Sequence, residues 1–231
     1  MENCEFCSEF SSLKQDKLSF FHSLFLHLDN RILKETENFV IVPSLGQILE
    51  GYLLVITKDH YISMGTLPSQ FHVEVNQVIE RTSEILRTAY NTDILQFEHG
   101  PSSSSKKGGC CIDHAHVHIV PLNADILPNI DSLPDLVLRE RCEANAFPGI
   151  TQYFLKENRP YLYINISRAS NNKSIILDAN GLPSQYMRRV IAQAIGKENE
   201  WDWAIFLGEQ EIGNCLQRLR PLFTEMENSN A

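Results

Sequence analysis

The stretch Asp113-His114-Ala115-His116-Val117-His118-Ile119-Val120-Pro121 constrains this chain more than any other. In a β-strand, alternate side chains project to opposite faces. A strand over 113–120, stopped by Pro121, therefore puts His114, His116 and His118 on one face. Ala115, Val117 and Ile119 then point the other way, toward a core. Three of the chain's eight histidines share this short segment without disturbing its apolar alternation. A scatter of surface residues does not produce such a pattern.

The strand needs neighbours and a layer on its apolar side. Phe39-Val-Ile-Val42, ending at Pro43, and Gly51-Tyr-Leu-Leu-Val-Ile-Thr57 read as two β-rich runs forming an antiparallel hairpin pair. From Pro68 to Tyr90 there is no glycine, and Phe71, Val75, Val78, Ile79, Ile85, Leu86 and Ala89 recur with charged residues between them, which predicts a long helix. Ile94–Glu98 reads as a strand, followed by the Gly/Ser loop 100–109. The order β, β, long helix, β, loop, β specifies an α+β domain: an antiparallel sheet with a long helix packed on it. A shorter helix is predicted over 18–28. Residues 122–134 read as a connector, so residues 1–125 form the first module and residues 126–231 a C-terminal α+β extension. In the extension, helices are predicted over 133–144 and 183–195 and strands over 161–166 and 174–178. In the last helix Arg188 and Arg189 fall off the apolar face; they could reach substrate phosphates, although paired arginines on a helix are more often solvated. Lys106 and Lys107, in the serine loop, are better placed to meet a polyphosphate.

With 29 acidic against 20 basic residues and a formal net charge of −9, the chain lacks the positive excess needed for general nucleic-acid binding. No apolar run approaches the roughly 20 residues that cross a bilayer. The first residues lack the order of a secretory signal. A cytoplasmic protein without membrane attachment is expected. In a reducing compartment the six cysteines are thiols, and Cys4-x-x-Cys7 looks like half a metal site. Cys142 and Cys215 are assigned no chemistry.

The residues leave two chemistries open for the histidines. Together they can hold a catalytic metal, or one imidazole can attack phosphorus while the others organise the phosphate. For phosphate, the Gly108-Gly109-Cys110-Cys111-Ile112 approach offers backbone N–H groups.

His114-Ala-His116-Val-His118-Ile-Val, with Phe97-Glu98-His-Gly-Pro101 upstream, resembles the histidine triad (HIT) motif. Adding Cys4-x-x-Cys7 and Thr57-Lys-Asp-His60 makes residues 1–122 similar to zinc-containing HIT proteins and to the first half of galactose-1-phosphate uridylyltransferase. The resemblance implies that His116 is the nucleophile, carrying a nucleotidyl group covalently, and that His118 contacts the phosphate. It places Cys111 where relatives bind phosphate with Ser or Thr, beside Gly109. Glu98 takes the place of a polar Gln or Asn near the phosphates or ribose, and Ser44 falls near the ribose position. Tyr52 replaces an auxiliary histidine. Cys4, Cys7, His60 and His114 would form a closed, structural zinc site. His118, where uridylyltransferases carry Gln, favours hydrolysis over transfer. The expectation is a nucleotide hydrolase or nucleotidyltransferase, with the extension a degenerate second HIT-like half, and either a homodimer or an internal pseudo-dimer. A non-catalytic nucleotide-binding scaffold and a metal-dependent hydrolase using all three histidines as ligands are the alternatives.

Overall fold

The computed structural model describes residues 4–14, 31–103, 108–123, 125–126, 133–136, 138–143, 146–167 and 172–228. The helix expected over 18–28 and the lysines Lys106 and Lys107 lie outside them. A short helix α1 (Glu5–Lys14) precedes β1 (Lys34–Glu35), β2 (Phe39–Pro43) and β3 (Leu53–Thr57). Then follow α2 (His72–Tyr90), β4 (Ile94–Gly100), β5 (His116–Pro121) and β6 (Arg141–Glu143). The C-terminal part adds α3 (Ala146–Glu157), β7 (Tyr161–Ser167), β8 (Asn172–Asp178), α4 (Tyr186–Ala194) and α5 (Glu209–Asn228). The fold is α+β, as the element order predicts.

All described strands join one sheet in the order β1-β2-β3-β5-β4-β7-β8-β6, every pair antiparallel. The expected hairpin forms with Phe39 opposite Thr57 and Pro43 opposite Leu53. The strands of the extension build no sheet of their own. β7 pairs along the whole of β4, from Ile94 opposite Ser167 to Gly100 opposite Tyr161, so the sheet runs on across the connection after residue 125.

Both faces are covered, which is why β2, β3, β4 and β5 are buried at every residue. On one face α2 lays down Val75, Val78, Ile79, Ile85 and Leu86, α3 adds Phe147 and Ile150, and α5 adds Cys215, Leu219 and Phe223. Ala115, Val117 and Ile119 meet this layer. On the other face Tyr186, Met187, Val190 and Ile191 of α4, with Phe6 of α1, close over Val40, Leu54, Ile56, Leu95 and Phe97. The long helix begins after a single 3₁₀ turn at Ser69–Phe71 and ends where Asn91 turns left-handed (φ 49°), its N–H returned to the Arg87 carbonyl at 2.8 Å.

No helix forms where one is expected over 133–144. Its described residues are turns and the exposed strand β6, and the helix comes later, over Ala146–Glu157. Pro148 and Gly149 disguise α3 in the sequence, yet proline is tolerated in a first turn, where its missing N–H has no partner to lose.

Candidate functional site

The register fixes which side chains share the histidine face. His118 lies opposite Leu54 and Phe97, and His116 opposite Ile56, so both imidazoles project into the layer closed by α1 and α4. The strand itself starts at His116, three residues later than expected. Ala115 bonds instead to the Tyr61 carbonyl (2.6 Å) and the Thr57 N–H (3.2 Å). His114 is thereby released into a bend, and its ring serves a different purpose from the other two.

His114 Nε2 lies 2.7 Å from the Thr57 carbonyl. A carbonyl only accepts, so the proton is on Nε2 and Nδ1 keeps its lone pair. That Nδ1 is 3.3 Å from Cys4 Sγ and 3.5 Å from Cys7 Sγ, and His60 Nδ1 is 3.4 Å from Cys7 Sγ. All four ligand atoms lie within 4.8 Å of one another. A tetrahedral ion about 2.3 Å from sulfur and about 2.0 Å from nitrogen separates its S and N ligands by about 3.5 Å. The set therefore fits zinc, and two sulfurs this close are costly without a cation: burial and Cys4 together push the Cys7 thiol up to about 11. Burial lowers His114 to about 4, which keeps it neutral, as a metal ligand must be. Among the described residues this is the one group of metal-ligating side chains so gathered. It also excludes joint coordination of one ion by His114, His116 and His118, because the His114 lone pair faces the two cysteines.

His116 Nδ1 lies 2.6 Å from the His114 carbonyl oxygen, so the proton is on Nδ1 and Nε2 carries a free lone pair. Burial holds the His116 pKa below its ordinary value, so the ring is neutral near pH 7. His118 stacks on Phe97 with ring centres 4.3 Å apart and planes 6° apart, and its Nδ1 is 2.9 Å from the Tyr52 hydroxyl. Tyr52 thus holds His118 in place. Burial and then the neighbouring His116 keep His118 well below the normal imidazole range.

His116 and His118 line a cavity of about 40 Å³ together with Ser44, Cys111, Phe6, Arg188 and Trp203. A nucleotide-sized ligand ordinarily occupies a pocket on the order of 300 Å³ or more. The cover is α1. The Phe6 ring meets His114 and His116 edge-on at 5.7 and 5.4 Å, and Glu9 forms a two-pronged ion pair with buried Arg31 (2.8 and 2.7 Å). The Cys4, Cys7, His60 and His114 contacts and this ion pair fasten α1 across the histidines.

Four predicted residues, His116, His118, Ser44 and Cys111, therefore share the cavity, and the four predicted metal ligands, Cys4, Cys7, His60 and His114, are gathered beside it. Gly109 stands beside it at φ +86°, where a Cβ would come within 3.0 Å of the His99 ring, and its carbonyl receives the Gln185 N–H. Glu98 does not join them. Strand parity turns it to the opposite face, opposite Tyr163, where it accepts bonds from the Met64 N–H (2.7 Å) and the Tyr161 hydroxyl (2.6 Å). Phe97 and His99 take the histidine face in its stead.

His99 was missed, and Arg188 was weighed as a phosphate contact but expected to be solvated. His99 sits 6.5 Å from the His118 ring and accepts the Met187 N–H at 3.3 Å, and burial followed by His116 depresses it to about 3. Its position two residues after Phe97 carried the signal. Arg188 is 3% exposed rather than solvated, because α4 is enclosed on several sides. Arg189 does lie outward, over the Trp201 ring.

The family model that matches the chain is the HIT domain, over residues 26–125. Among solved structures, a hypothetical histidine triad nucleotide-binding protein from Sulfolobus tokodaii is 24% identical, the match covering 55% of this chain and 76% of that one with a TM-score of 0.39. A HIT family hydrolase from Clostridium thermocellum is 20% identical over 56% of this chain and 98% of its own, TM-score 0.39. A Zn-bound histidine triad family protein from Mycobacterium smegmatis is 18% identical over 53% and 77%, TM-score 0.37. No curated protein matches the chain significantly.

Proposed function

Residues 26–125 of this chain are a HIT domain, and on that premise we propose that the protein is a nucleotide hydrolase or nucleotidyltransferase acting through a covalent nucleotidyl-His116 intermediate. The observation that carries this reading is the 2.6 Å contact between His116 Nδ1 and the His114 carbonyl. It fixes the tautomer whose Nε2 can attack phosphorus, and burial keeps that nitrogen unprotonated at neutral pH. Attack forms an Nε2–P bond and breaks the bond from phosphorus to the leaving oxygen. Water, or a second acceptor, then breaks the Nε2–P bond and restores the imidazole. His118, held by Tyr52 and Phe97, is the neighbouring group that orients the phosphoryl oxygens, and Ser44, Gly109 and Cys111 are the proposed substrate contacts. Glu98 is left out of this set because the sheet separates it from the cavity.

Cys4, Cys7, His60 and His114 would hold a structural zinc ion that ties α1 to the segment leading into the catalytic strand. Such an ion has all four positions filled by protein and leaves none for substrate.

The test is to mix the protein with α-labelled nucleoside polyphosphates and nucleotide sugars, quench with denaturant, and measure intact mass. A nucleotidyl adduct absent from His116→Ala and His116→Gly supports the reading. Nucleotide binding with neither adduct nor product favours a non-catalytic scaffold.

A further inference from the structure

Two buried arginines line the cavity, and they are treated differently. Arg31 is matched by the Glu9 carboxylate. Arg188, 3% exposed, donates to three neutral oxygens: Nε to the Trp201 carbonyl (2.7 Å), Nη1 to the Ser44 hydroxyl (3.3 Å) and Nη2 to the Gly46 carbonyl (2.5 Å). Its guanidinium lies 5.3 Å from the centre of the Tyr52 ring, the same tyrosine that bonds His118. Among the described residues no carboxylate pairs with it, in a chain with nine more acids than bases. A guanidinium keeps its charge when buried, and a buried charge is costly until an opposite charge meets it. Of five N–H donors three go to these oxygens and one more is within reach of the Tyr52 hydroxyl, which leaves a donor at the terminal nitrogens for an anion.

The group is also rigidly placed. Gly46, whose carbonyl it holds, has φ +61°, and a Cβ there would collide at 2.5 Å with the Phe206 carbonyl and the Trp203 Cα. Loop 44–46 and segment 201–206 thus close on each other around the guanidinium before any ligand arrives.

We infer that Arg188 binds a phosphate of the substrate, so that the C-terminal extension supplies the cavity with a cation that no carboxylate among the described residues neutralises, unlike Arg31. This rests on the nucleotide reading of the site. The phosphate is either the one bonded to His116 or one farther out in the leaving group, and the same chemistry serves both.

The experiment is titration calorimetry of the full chain, wild type against Arg188→Gln and Arg188→Lys, with adenosine, AMP and ADP and with the guanosine, uridine and cytidine series. Arg188→Gln is expected to bind nucleosides within about twofold of wild type and to lose about 10- to 100-fold for phosphorylated ligands. A loss already seen with monophosphates assigns the phosphate at His116, and one seen only with diphosphates assigns the outer phosphate. Arg188→Lys, which keeps the charge without the fork, should recover part of the loss. If Arg188→Gln does not fold, Arg188→Lys alone must still weaken phosphorylated ligands more than nucleosides. Equal losses for nucleoside and nucleotide would reduce Arg188 to a structural tie, and undiminished nucleotide binding would remove it from the site; either overturns the proposal while the nucleotide reading stands. A wild-type protein with no preference for phosphorylated ligands would sink both.

Discussion

Glu98 gives the sharpest quantitative consequence of the fold. Its carboxyl is 1% exposed, lies across the sheet from the histidines, and accepts only the Met64 N–H and the Tyr161 hydroxyl. Burial raises its pKa from 4.5 to about 8, against the smaller lowering effect of those two bonds. Between these values the folded chain holds a proton that the unfolded chain has released. Stability from this group is therefore full below about pH 4.5 and falls as pH rises toward 8. At about 1.4 kcal/mol per pH unit the loss between pH 5 and 8 is about 4 kcal/mol, or on the order of 10 °C in Tm for a chain of this size. The buried neutral histidines pull the other way below about pH 6.5, so the raw stability curve mixes both effects. Comparison with Glu98→Gln isolates the carboxyl, since the amide preserves the shape and the acceptor for Met64 while the histidines are common to both proteins. Urea melts of the pair from pH 5 to 9 should show the variant gaining on wild type by about 4 kcal/mol, the gap flattening above pH 8. Parallel curves would refute the reasoning, because they would mean that water reaches Glu98 and that it ionises as an ordinary carboxyl.

Two further outcomes follow from α1 and its fastening. Metal analysis should find near-stoichiometric zinc in wild type and its loss in both Cys4→Ala and His60→Ala, with faster amide exchange over α1; undiminished zinc would disprove the ligand set. Phe6→Ala removes the ring over His116 and should weaken the docking of α1 by about 3 kcal/mol. Nucleotide association measured by stopped flow should then accelerate, and an unchanged rate would mean that α1 does not limit entry.

Periodicity carries well where one element suffices to decide it. The two-residue alternation of β5, the helical spacing of α2 and the apolar runs of β2 and β3 each appear in the structure at nearly the predicted bounds. The same parity applied to β4 would have separated Glu98 from His99, since they are neighbours in a strand and face opposite ways. Elements stabilised by distant partners left weaker marks. α1 has few apolar residues and is held by Arg31, His60 and His114. α5 carries Pro221 in its interior and reads as polar, yet buries Cys215 and Leu219 completely. Arg188 is 144 residues from Ser44, and nothing local distinguishes it from Arg189, which stays at the surface over Trp201. The bend that frees His114 was equally hidden, because it depends on Tyr61 and Thr57, distant in sequence, which bond the N–H and the carbonyl of Ala115 respectively.

The seam between β4 and β7 also dictates how the chain comes off the ribosome. When residue 125 has been made, β4 still lacks one neighbour, and Leu95 and Phe97 lack the α4 side chains that complete their cover. Some forty residues more must emerge before β7 can pair, and over sixty before Arg188 can close on Ser44. Cys4, immediately before α1, waits 110 residues for His114. Such long sequence separations slow folding and leave apolar strands uncovered meanwhile. Nascent chains arrested near residue 125 should accordingly depend on chaperones, and the isolated segment 26–125 should aggregate where the full chain does not.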